Sequence, residues 1–276
     1  MMRLKLLLAV LCISVLPLSA QDYTWEAGQI DGTRTGCTVP SSENVSQTIG
    51  YFDGKVYVAP NGSRFRKNSA TAKAAAAVMD AQPSMQRVKE VVAYSTESMT
   101  VRYPECPLSN WFVDILMRKG GELAGKKADV AVANFGGIRA DMPKGDVILD
   151  DLLSMFPFKN QIVYVEHKGS TLRKMLEDMA ATRFQVLGGI RVVAENGKLV
   201  YAEIGGEPID DEKVYGLVTV SFLLHGGDNL KLADNALSLM KFDVDIIDAV
   251  LEHVYAETAA GRPIEYHTDG RVIIRK

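Results

Sequence analysis

Apolar and polar residues recur along the chain with spacings that predict both helices and strands. Helical spacing predicts helices over the following ranges: Ser109–Lys119, Asp150–Met155, Ser170–Ala181 and Asp245–Ala259. Alternating or continuous apolar runs predict strands over another set of ranges: Val88–Tyr94, Asp129–Asn134, Gln161–His167, Phe184–Val193, Leu199–Ile204, Val214–Phe222 and Arg271–Arg275. Some neighbouring strands are joined by turns too short for a parallel crossover. The pattern therefore predicts an α/β (α+β) protein, with helices packed on a mixed β-sheet.

Turn and helix-end signals divide the chain further. Asp53-Gly54 separates two short apolar runs, Thr48–Phe52 and Lys55–Ala59, and predicts a hairpin. An alanine-rich helix is predicted over 70–81, and Pro83 is expected to end it. These elements form a predicted N-terminal extension, residues 21–87, before a domain over residues 88–276. Within that domain, Ser109 is expected to cap a helix that Gly120-Gly121 terminates.

The first twenty residues have the pattern of a secretory signal peptide. Arg3 and Lys5 precede an apolar stretch, Leu6–Leu16, that is too short to span a bilayer, and small residues lead to a cleavage point after Ala20. Cys12 follows Leu11 instead of a small residue, so no lipoprotein anchor is expected. The sequence thus predicts an exported protein, periplasmic or extracellular, with no transmembrane helix.

Composition excludes some classes of protein and leaves one pairing open. The 276 residues carry a net charge of −3, which argues against sequence-independent nucleic-acid binding. Removal of residues 1–20 would leave two cysteines, Cys37 and Cys106, for which a disulfide and two free thiols are both consistent with the sequence. The role of residues 21–87 is equally open between docking to a partner and packing on the following domain.

Motifs for hydrolytic or metal chemistry are absent from the sequence. The four histidines do not fall in H-E-x-x-H spacing, and the D-x-H and G-N-H-D/E signatures of two-metal phosphoesterases do not occur. Asp150-Asp151 and Asp210-Asp211 are acidic pairs near helix starts or turns, where they are expected to cap. The segment Gly120–Lys127 has Lys where a P-loop requires Ser or Thr. No catalytic residue and no cofactor or metal ligand is predicted in this chain.

Four segments combine residues suited to binding a nucleoside or nucleotide. They are Asn134–Arg139 with Gly136 and Gly137, Phe156–Asn160, Ser221–Asn229, and Arg102 with Glu105. Glycines let backbone N–H groups approach a ligand, and arginine suits bidentate contact with phosphate or ribose oxygens. Two aromatic rings can stack on a base, and a carboxylate such as Asp228 can accept hydrogen bonds from ribose hydroxyls. From the residues alone, Phe158 and Phe222 are equally explained as core residues, and the Gly-Gly pairs as ordinary turns.

The same segments resemble the C-terminal, substrate-binding domain of the 5′-nucleotidase and UDP-sugar hydrolase family. The resembling stretches are V-A-N-F-G-G-I-R at 132–139, G-D-V at 145–147, M-F-P-F-K-N at 155–160, H-K-G-S-T-L at 167–172, F-Q-V-L-G-G-I-R at 184–191 and V-T-V-S-F-L-L-H-G-G-D-N at 218–229. Their order and spacing, over roughly residues 88–275, make the resemblance specific.

The resemblance implies a role for each site residue. By position, Phe158 and Phe222 resemble the rings that clamp the base, Asn160 a base-contacting amide, Asp228 the ribose-binding acid, and Asn134, Arg139 and Arg102 the contacts to nucleoside, phosphate or ribose. Phe135 departs from the small residue usual after the asparagine, which would narrow that turn. The implied ligand resembles AMP or adenosine.

Family members normally carry an N-terminal metallophosphoesterase domain, which nothing in residues 21–87 resembles. The resemblance therefore implies that this chain is the substrate-binding half of a split enzyme. A separate metallophosphoesterase chain would then hold the divalent metal ions, and this chain would be inactive alone. The alternative is an exported protein that binds nucleosides or nucleotides by itself without catalysis.

Overall fold

The computed structural model describes residues 44–275, and the chain divides into two compact units, the first ending at Ala75 and the second beginning at Ala76. The signal peptide and Cys37 lie outside the described residues, so these predictions remain untested. The predicted division at residues 87 and 88 also stays a prediction. Among residues 44–275, no helix combines the length and the apolar character needed to cross a bilayer.

The first unit contains a three-stranded antiparallel sheet. Helix α1 (Val45–Thr48) precedes β1 (Tyr51–Asp53), β2 (Val56–Val58) and β3 (Arg64–Arg66). The predicted hairpin is confirmed, because β1 and β2 pair around Gly54, whose φ of +58° suits a residue without a Cβ. Tyr57 is 5% exposed and packs between Phe52 and Phe65, with ring centroids 5.4 and 5.9 Å away.

Helix α2 (Ala70–Met85) is followed by a chain that contains four further α-helices and eleven strands, β4 to β14, within the described residues. In chain order, the elements are β4 (Val91–Ser95), α3 (Pro107–Ala124), β5 (Val130–Ala133), β6 (Gly145–Ile148), α4 (Leu149–Met155), β7 (Gln161–Lys168), α5 (Gly169–Ala181), β8 (Val186–Gly188), β9 (Ile190–Glu195), β10 (Lys198–Ile204), β11 (Glu207–Pro208), β12 (Val214–Val220), β13 (Ser238–Asp245), α6 (Ile246–Ala259) and β14 (Val272–Arg275).

The central sheet of the second unit has five strands in the order β13-β7-β12-β5-β8. Strands β5 and β12 are parallel, whereas β7 pairs antiparallel with both β12 and β13. A second sheet, β11-β10-β9-β14, is also mixed, and β4 pairs with β6 alone. The predicted mixed sheet is confirmed, and its central strands are buried along nearly their whole length.

Helix α3 differs from its prediction at both ends. It begins at Pro107, whose fixed φ suits a first helical position, and the Sγ of Cys106 accepts a hydrogen bond from the Ser109 N–H. Ser109 therefore lies in the first turn and is not the capping residue. The helix also continues past Gly120 to Ala124, with Gly125 as its C-cap. A Cβ at Gly120 would lie 2.5 Å from the Val218 side chain. The glycine allows close packing on β12 instead of ending the helix.

Two other predicted boundaries are wrong for local reasons. Pro83 lies within the last turn of α2, where it removes one hydrogen bond, and the helix ends only at Met85. The predicted strand Phe184–Val193 is divided into β8 and β9 by Gly189. At this glycine φ is +70°, and an added Cβ would lie 2.3 Å from the Asp129 carbonyl oxygen.

A buried arginine joins the C-terminal segment to α3. The Arg271 side chain is 9% exposed and donates hydrogen bonds to Asp114, at 2.8 and 3.0 Å, and to Asp269, at 3.0 and 2.8 Å. The guanidinium lowers the pKa of Asp269, while burial and the hydrogen bond to Asp114 raise the pKa of Tyr266. This ion-pair cluster fixes the start of β14 against the helix.

Candidate functional site

The central sheet brings three of the predicted segments to one edge. Thr219 of β12 pairs with Val132 of parallel β5, so the chain leaves both strands at the same end. Val220 pairs with Ile162 near the start of antiparallel β7. The residues after β5, those before β7 and those after β12 are therefore neighbours. A hydrogen bond of 3.1 Å from the Gln161 N–H to the Ser221 hydroxyl joins two of these segments directly.

The turn after β5 is built around a buried asparagine. Asn134 is 7% exposed, and a Cβ at Gly137 would lie 2.9 Å from its Oδ1 atom. Gly137 is thus required for this turn. Gln185, which sequence reasoning did not single out, accepts a hydrogen bond from the Phe135 N–H at 3.2 Å. Gly136, which lies between Phe135 and Gly137, is exposed.

The segment before β7 presents an exposed ring beside a cation. Phe158 is 45% exposed, and the Arg139 guanidinium lies 5.9 Å from its ring centroid. The Arg139 backbone N–H donates to the Met155 carbonyl at 2.9 Å, which fixes the Arg139 segment to the end of α4. Asn160 is half-buried, and its backbone bonds to Phe158 and Ile246 at 2.9 Å each. The backbone under this ring is therefore held on both sides.

The segment after β12 carries a second exposed ring and an acid at its tip. Phe222 is 46% exposed and covers Gly227, where an added Cβ would lie 2.8 Å from the ring. Asp228 follows with φ of +47°, a left-handed conformation that Asp tolerates better than most residues. Its Oδ2 lies 3.9 Å from the position that a Cβ on Gly136 would occupy. The acid therefore faces the Gly-Gly turn.

A cavity of about 820 Å³ opens beside Asp228 and Gly136. Arg183 and Gln185 contribute to its wall, and the Arg183 guanidinium lies 4.8 Å from the centroid of the Tyr103 ring. The Tyr103 ring makes an edge contact with Phe135 at 5.9 Å. Sequence reasoning missed both Arg183 and Tyr103, because no motif marks them. The rings of Phe158 and Phe222 do not line this cavity.

The structure thus brings some predicted residues together and leaves one apart. Asn134 contacts the two glycines, Asp228 faces Gly136, and Arg139 lies beside Phe158. Arg102 is exposed and forms no hydrogen bond or ion pair with any other described residue, although its neighbour Tyr103 reaches Phe135. Chemically, this edge offers aromatic faces, a carboxylate, guanidinium groups and exposed backbone. Ligand binding by these residues stays a prediction.

One residue of each predicted acidic pair has a local partner. Asp151 accepts a hydrogen bond from the Ile148 N–H at the start of α4, at 2.9 Å, and Asp210 accepts one from Glu212 at 3.0 Å. Both acids therefore have the capping role that their positions predict. Within residues 44–275, no group of three or more His, Cys, Asp or Glu side chains is arranged to hold a metal ion.

Known proteins are similar to this chain in sequence and in fold. Protein UshA of Yersinia enterocolitica is 30% identical over 162 residues, which is 57% of this chain and 28% of that protein. A 5′-nucleotidase-related protein of Glossina morsitans morsitans is 27% identical over 201 residues, or 63% of this chain and 35% of that protein. The chain thus spans about a third or less of these relatives.

Solved structures of 5′-nucleotidases also have a fold similar to that of this chain. The 5′-nucleotidase precursor from Thermus thermophilus superposes with a TM-score of 0.64 at 25% identity, over 74% of this chain and 43% of that one. The fold is also shared with the NAD nucleotidase of Haemophilus influenzae, with a TM-score of 0.57 at 20% identity, over 80% and 48%. The profile of the family described as 5′-nucleotidase, C-terminal domain, matches residues 85–235. Because this match covers more than half of the chain, the protein belongs to the 5′-nucleotidase C-terminal domain family.

Proposed function

We propose that the chain binds a nucleoside or nucleotide at the edge of the central sheet where β5, β7 and β12 meet. The observation that carries this proposal is the exposure of Phe158 and Phe222, at 45% and 46%, on adjacent segments of that edge. Phenylalanine is usually buried in a fold of this size, so two exposed rings beside glycine turns suit stacking on a flat base.

Charged groups supplement the rings. In this proposal Asp228 accepts hydrogen bonds from ribose hydroxyls, and Arg139 meets the sugar or phosphate side. Asn134, Gly136 and Gly137 supply backbone and amide groups, Asn160 an amide beside the first ring, and Arg102 a further guanidinium. The ligand in this proposal resembles AMP or adenosine.

We further propose that hydrolysis is performed by a separate metallophosphoesterase chain, to which this chain presents the nucleotide. The support is the division of labour between holding a substrate and attacking it, because correct orientation of a bound group contributes strongly to catalysis. The chain corresponds to 28% of the length of the UshA relative, in keeping with a binding part of a larger hydrolase. Divalent metal ions would then be held by the partner, and both proteins would act after export.

Calorimetry with adenosine and AMP tests the binding site. We expect Phe158→Ala and Phe222→Ala each to weaken binding by about 1–3 kcal/mol, the contribution of one ring stacked on a base. Tyr255→Ala is the matched control, because this aromatic residue of α6 is 48% exposed outside the candidate site. If both phenylalanine variants bind like the wild type, the base is not held between these rings.

Phosphate release from AMP tests the split enzyme. The purified chain is mixed with candidate metallophosphoesterases, and we expect release to exceed that of each esterase alone. Phe222→Ala should reduce this gain at AMP concentrations below saturation, without changing the activity of the esterase. If the chain binds adenosine but no esterase gains activity, a nucleoside-binding protein without a catalytic partner is the better assignment.

A further inference from the structure

A fully buried histidine lies beneath the segment that carries Phe222 and Asp228. His167, near the end of β7, is 0% exposed, and its Nε2 lies 3.0 Å from the carbonyl oxygen of Leu232. A carbonyl can only accept a hydrogen bond, so Nε2 carries the proton of the neutral ring. Nδ1 is also buried, and no described residue forms a hydrogen bond with it. The proposed binding site does not use this side chain.

Leu232 closes the base of the loop between β12 and β13, residues 221–237, which we call the Asp228 loop. Leu232 is 1% exposed, and its N–H donates to the Leu223 carbonyl at 3.1 Å. The next residue repeats the contact, because the Ala233 N–H donates to the Leu224 carbonyl at 3.1 Å. These bonds join the residues that directly follow Phe222 to the residues that follow Asp228 in the chain. The His167 ring therefore links the closed base of the loop to the central sheet.

We propose that neutral His167 is a positioning residue, which holds the Asp228 loop in the arrangement that presents Phe222 and Asp228 to a ligand. This inference rests on the proposed function, because it concerns the geometry of that same site. It adds a regulatory property: the site is intact while the ring is neutral and loosens when the ring takes a second proton.

A second proton would bind at Nδ1, which is buried and forms no hydrogen bond with any described residue. Burial lowers the pKa of His167, and the nearby carbonyls of Leu232 and Asn235, which favour the charged ring, offset this only in part. Protonation therefore favours a rearrangement in which the ring leaves its site and the bond to Leu232 is lost. Acid should release the loop, whereas neutral or basic solution should hold it.

No charged side chain around the ring compensates its protonation. The titratable and charged groups on the surrounding elements include Tyr215 of β12, Glu166 and Lys168 of β7, Lys231 and Asp234 of the loop, and Lys174 of α5. The same elements also carry Tyr164 of β7, His225 and Asp228 of the loop, and Arg173, Glu177 and Asp178 of α5, and β13 carries Lys241, Asp243 and Asp245. Tyr215 bonds to the Asp210 N–H at 3.0 Å, Glu166 pairs with Lys126 at 2.7 Å, Lys168 pairs with Glu212 at 2.9 Å, and Lys174 pairs with Asp178. Lys231 and Asp234 are exposed, and none of these described side chains forms a hydrogen bond with the ring.

Adenosine affinity measured by calorimetry from pH 8 to pH 5 tests the proposal. Adenosine is the probe because it lacks a phosphate, whose second pKa near 6 would itself change binding. For the wild type we expect constant affinity at neutral and basic pH, and a progressive loss, by at most tenfold per pH unit, once the pH falls below the lowered pKa of His167. Simple packing by the ring would produce no such profile.

Three variants separate positioning from packing. His167→Gln keeps an N–H donor near the Nε2 position, so we expect it to bind adenosine like the wild type at pH 7.5 but without the acid loss. His167→Leu keeps the volume and removes the donor, so affinity should fall at every pH. His225→Gln is the matched control, because His225 is an exposed histidine of the same loop. Acid loss that disappears in His225→Gln and persists in His167→Gln would overturn the proposal.

Amide hydrogen exchange provides a second test. It is measured on the wild-type protein without ligand, so its result depends neither on adenosine binding nor on whether a variant folds. After correction for intrinsic rates, we expect residues 226–233 to exchange faster at pH 5.5 than at pH 7.5, while β7 and β12 remain protected. Unchanged protection of the loop would refute the positioning role even if adenosine binds. Faster exchange in a protein that never binds adenosine would support the His167 tether and refute only the proposed function.

Discussion

The assignment of Asp228 to ribose recognition is tested most directly by Asp228→Asn. The substitution removes the negative charge and keeps the size of the side chain. Asparagine also tolerates the left-handed conformation at this position, where φ is +47°, so the backbone should not change. Alanine would add strain at the same place, and its effect would mix conformation with recognition.

The structure sets the size of the expected effect. A hydrogen bond to a charged group contributes about 1.5–3 kcal/mol, against about 0.5–1.5 kcal/mol for a neutral one. Asparagine can still form a neutral hydrogen bond, and water competes for the oxygens of the exposed Asp228, so we expect a loss near the difference between the two ranges, about 1–1.5 kcal/mol. A loss of about 1–1.5 kcal/mol corresponds to a roughly five- to tenfold weaker binding of adenosine. Free adenine has no ribose and should bind within about twofold of its wild-type affinity.

Isothermal titration calorimetry at pH 7.5 with adenosine and adenine distinguishes these outcomes. Asp234→Asn is the matched control, because Asp234 is an exposed acid of the same loop that does not line the cavity beside Gly136. Equal losses for adenosine and adenine in the Asp228 variant would show that the carboxylate acts on the loop or the base and does not recognise ribose.

Three further predictions concern the scaffold, and urea unfolding measures each of them. Gly120→Ala should reduce the free energy of unfolding by about 1–3 kcal/mol, because the new Cβ would lie 2.5 Å from Val218; an increase would mean that the gain in helix propensity outweighs the clash. Arg271→Met should cost about 3 kcal/mol, since it leaves Asp114 without its buried partner, and a loss below about 1 kcal/mol would contradict this. The unfolded chain takes up a proton near pH 6.5, above the depressed pKa of His167 in the folded state. Stability should therefore fall as the pH decreases below 6.5, by at most about 1.4 kcal/mol per pH unit, and His167→Gln should make this dependence shallower; an unchanged slope in the variant would exclude His167 as its source.

Periodicity predicted the elements better than it predicted their ends. The apolar runs that became β5, β7 and β12 were recognisable because these strands are buried and short. The end of α3 was not, because Gly120 is as consistent with a helix stop as with close packing on a strand about 100 positions later. Only the tertiary contact with Val218 decides between the two.

In the candidate site too, some residues follow from local sequence pattern and others come together only in the folded protein. The positions of Asn134, Phe158 and Phe222 at one edge follow from strands that a short-range pattern reveals. The cavity wall could not be predicted, because Arg183 and Tyr103 come together through the fold and carry no local signature. His167 was predicted to end a strand, but its burial and its unpartnered Nδ1 depend on tertiary packing that no sequence pattern reports.

The pairing of β5 with β12 also bears on how the protein acquires its site. The Thr219 hydroxyl bonds to the Val132 carbonyl across 87 positions of sequence, and the two strands run parallel. Contacts this distant form slowly during folding, because a long loop must close before they yield any stabilisation. Until that closure is complete, the segments that carry Phe158 and Phe222 are not held at the same edge of the sheet. On the proposed function, a nascent or partly folded chain should therefore not bind nucleosides, and a nucleoside added during refolding should stabilise only the folded protein.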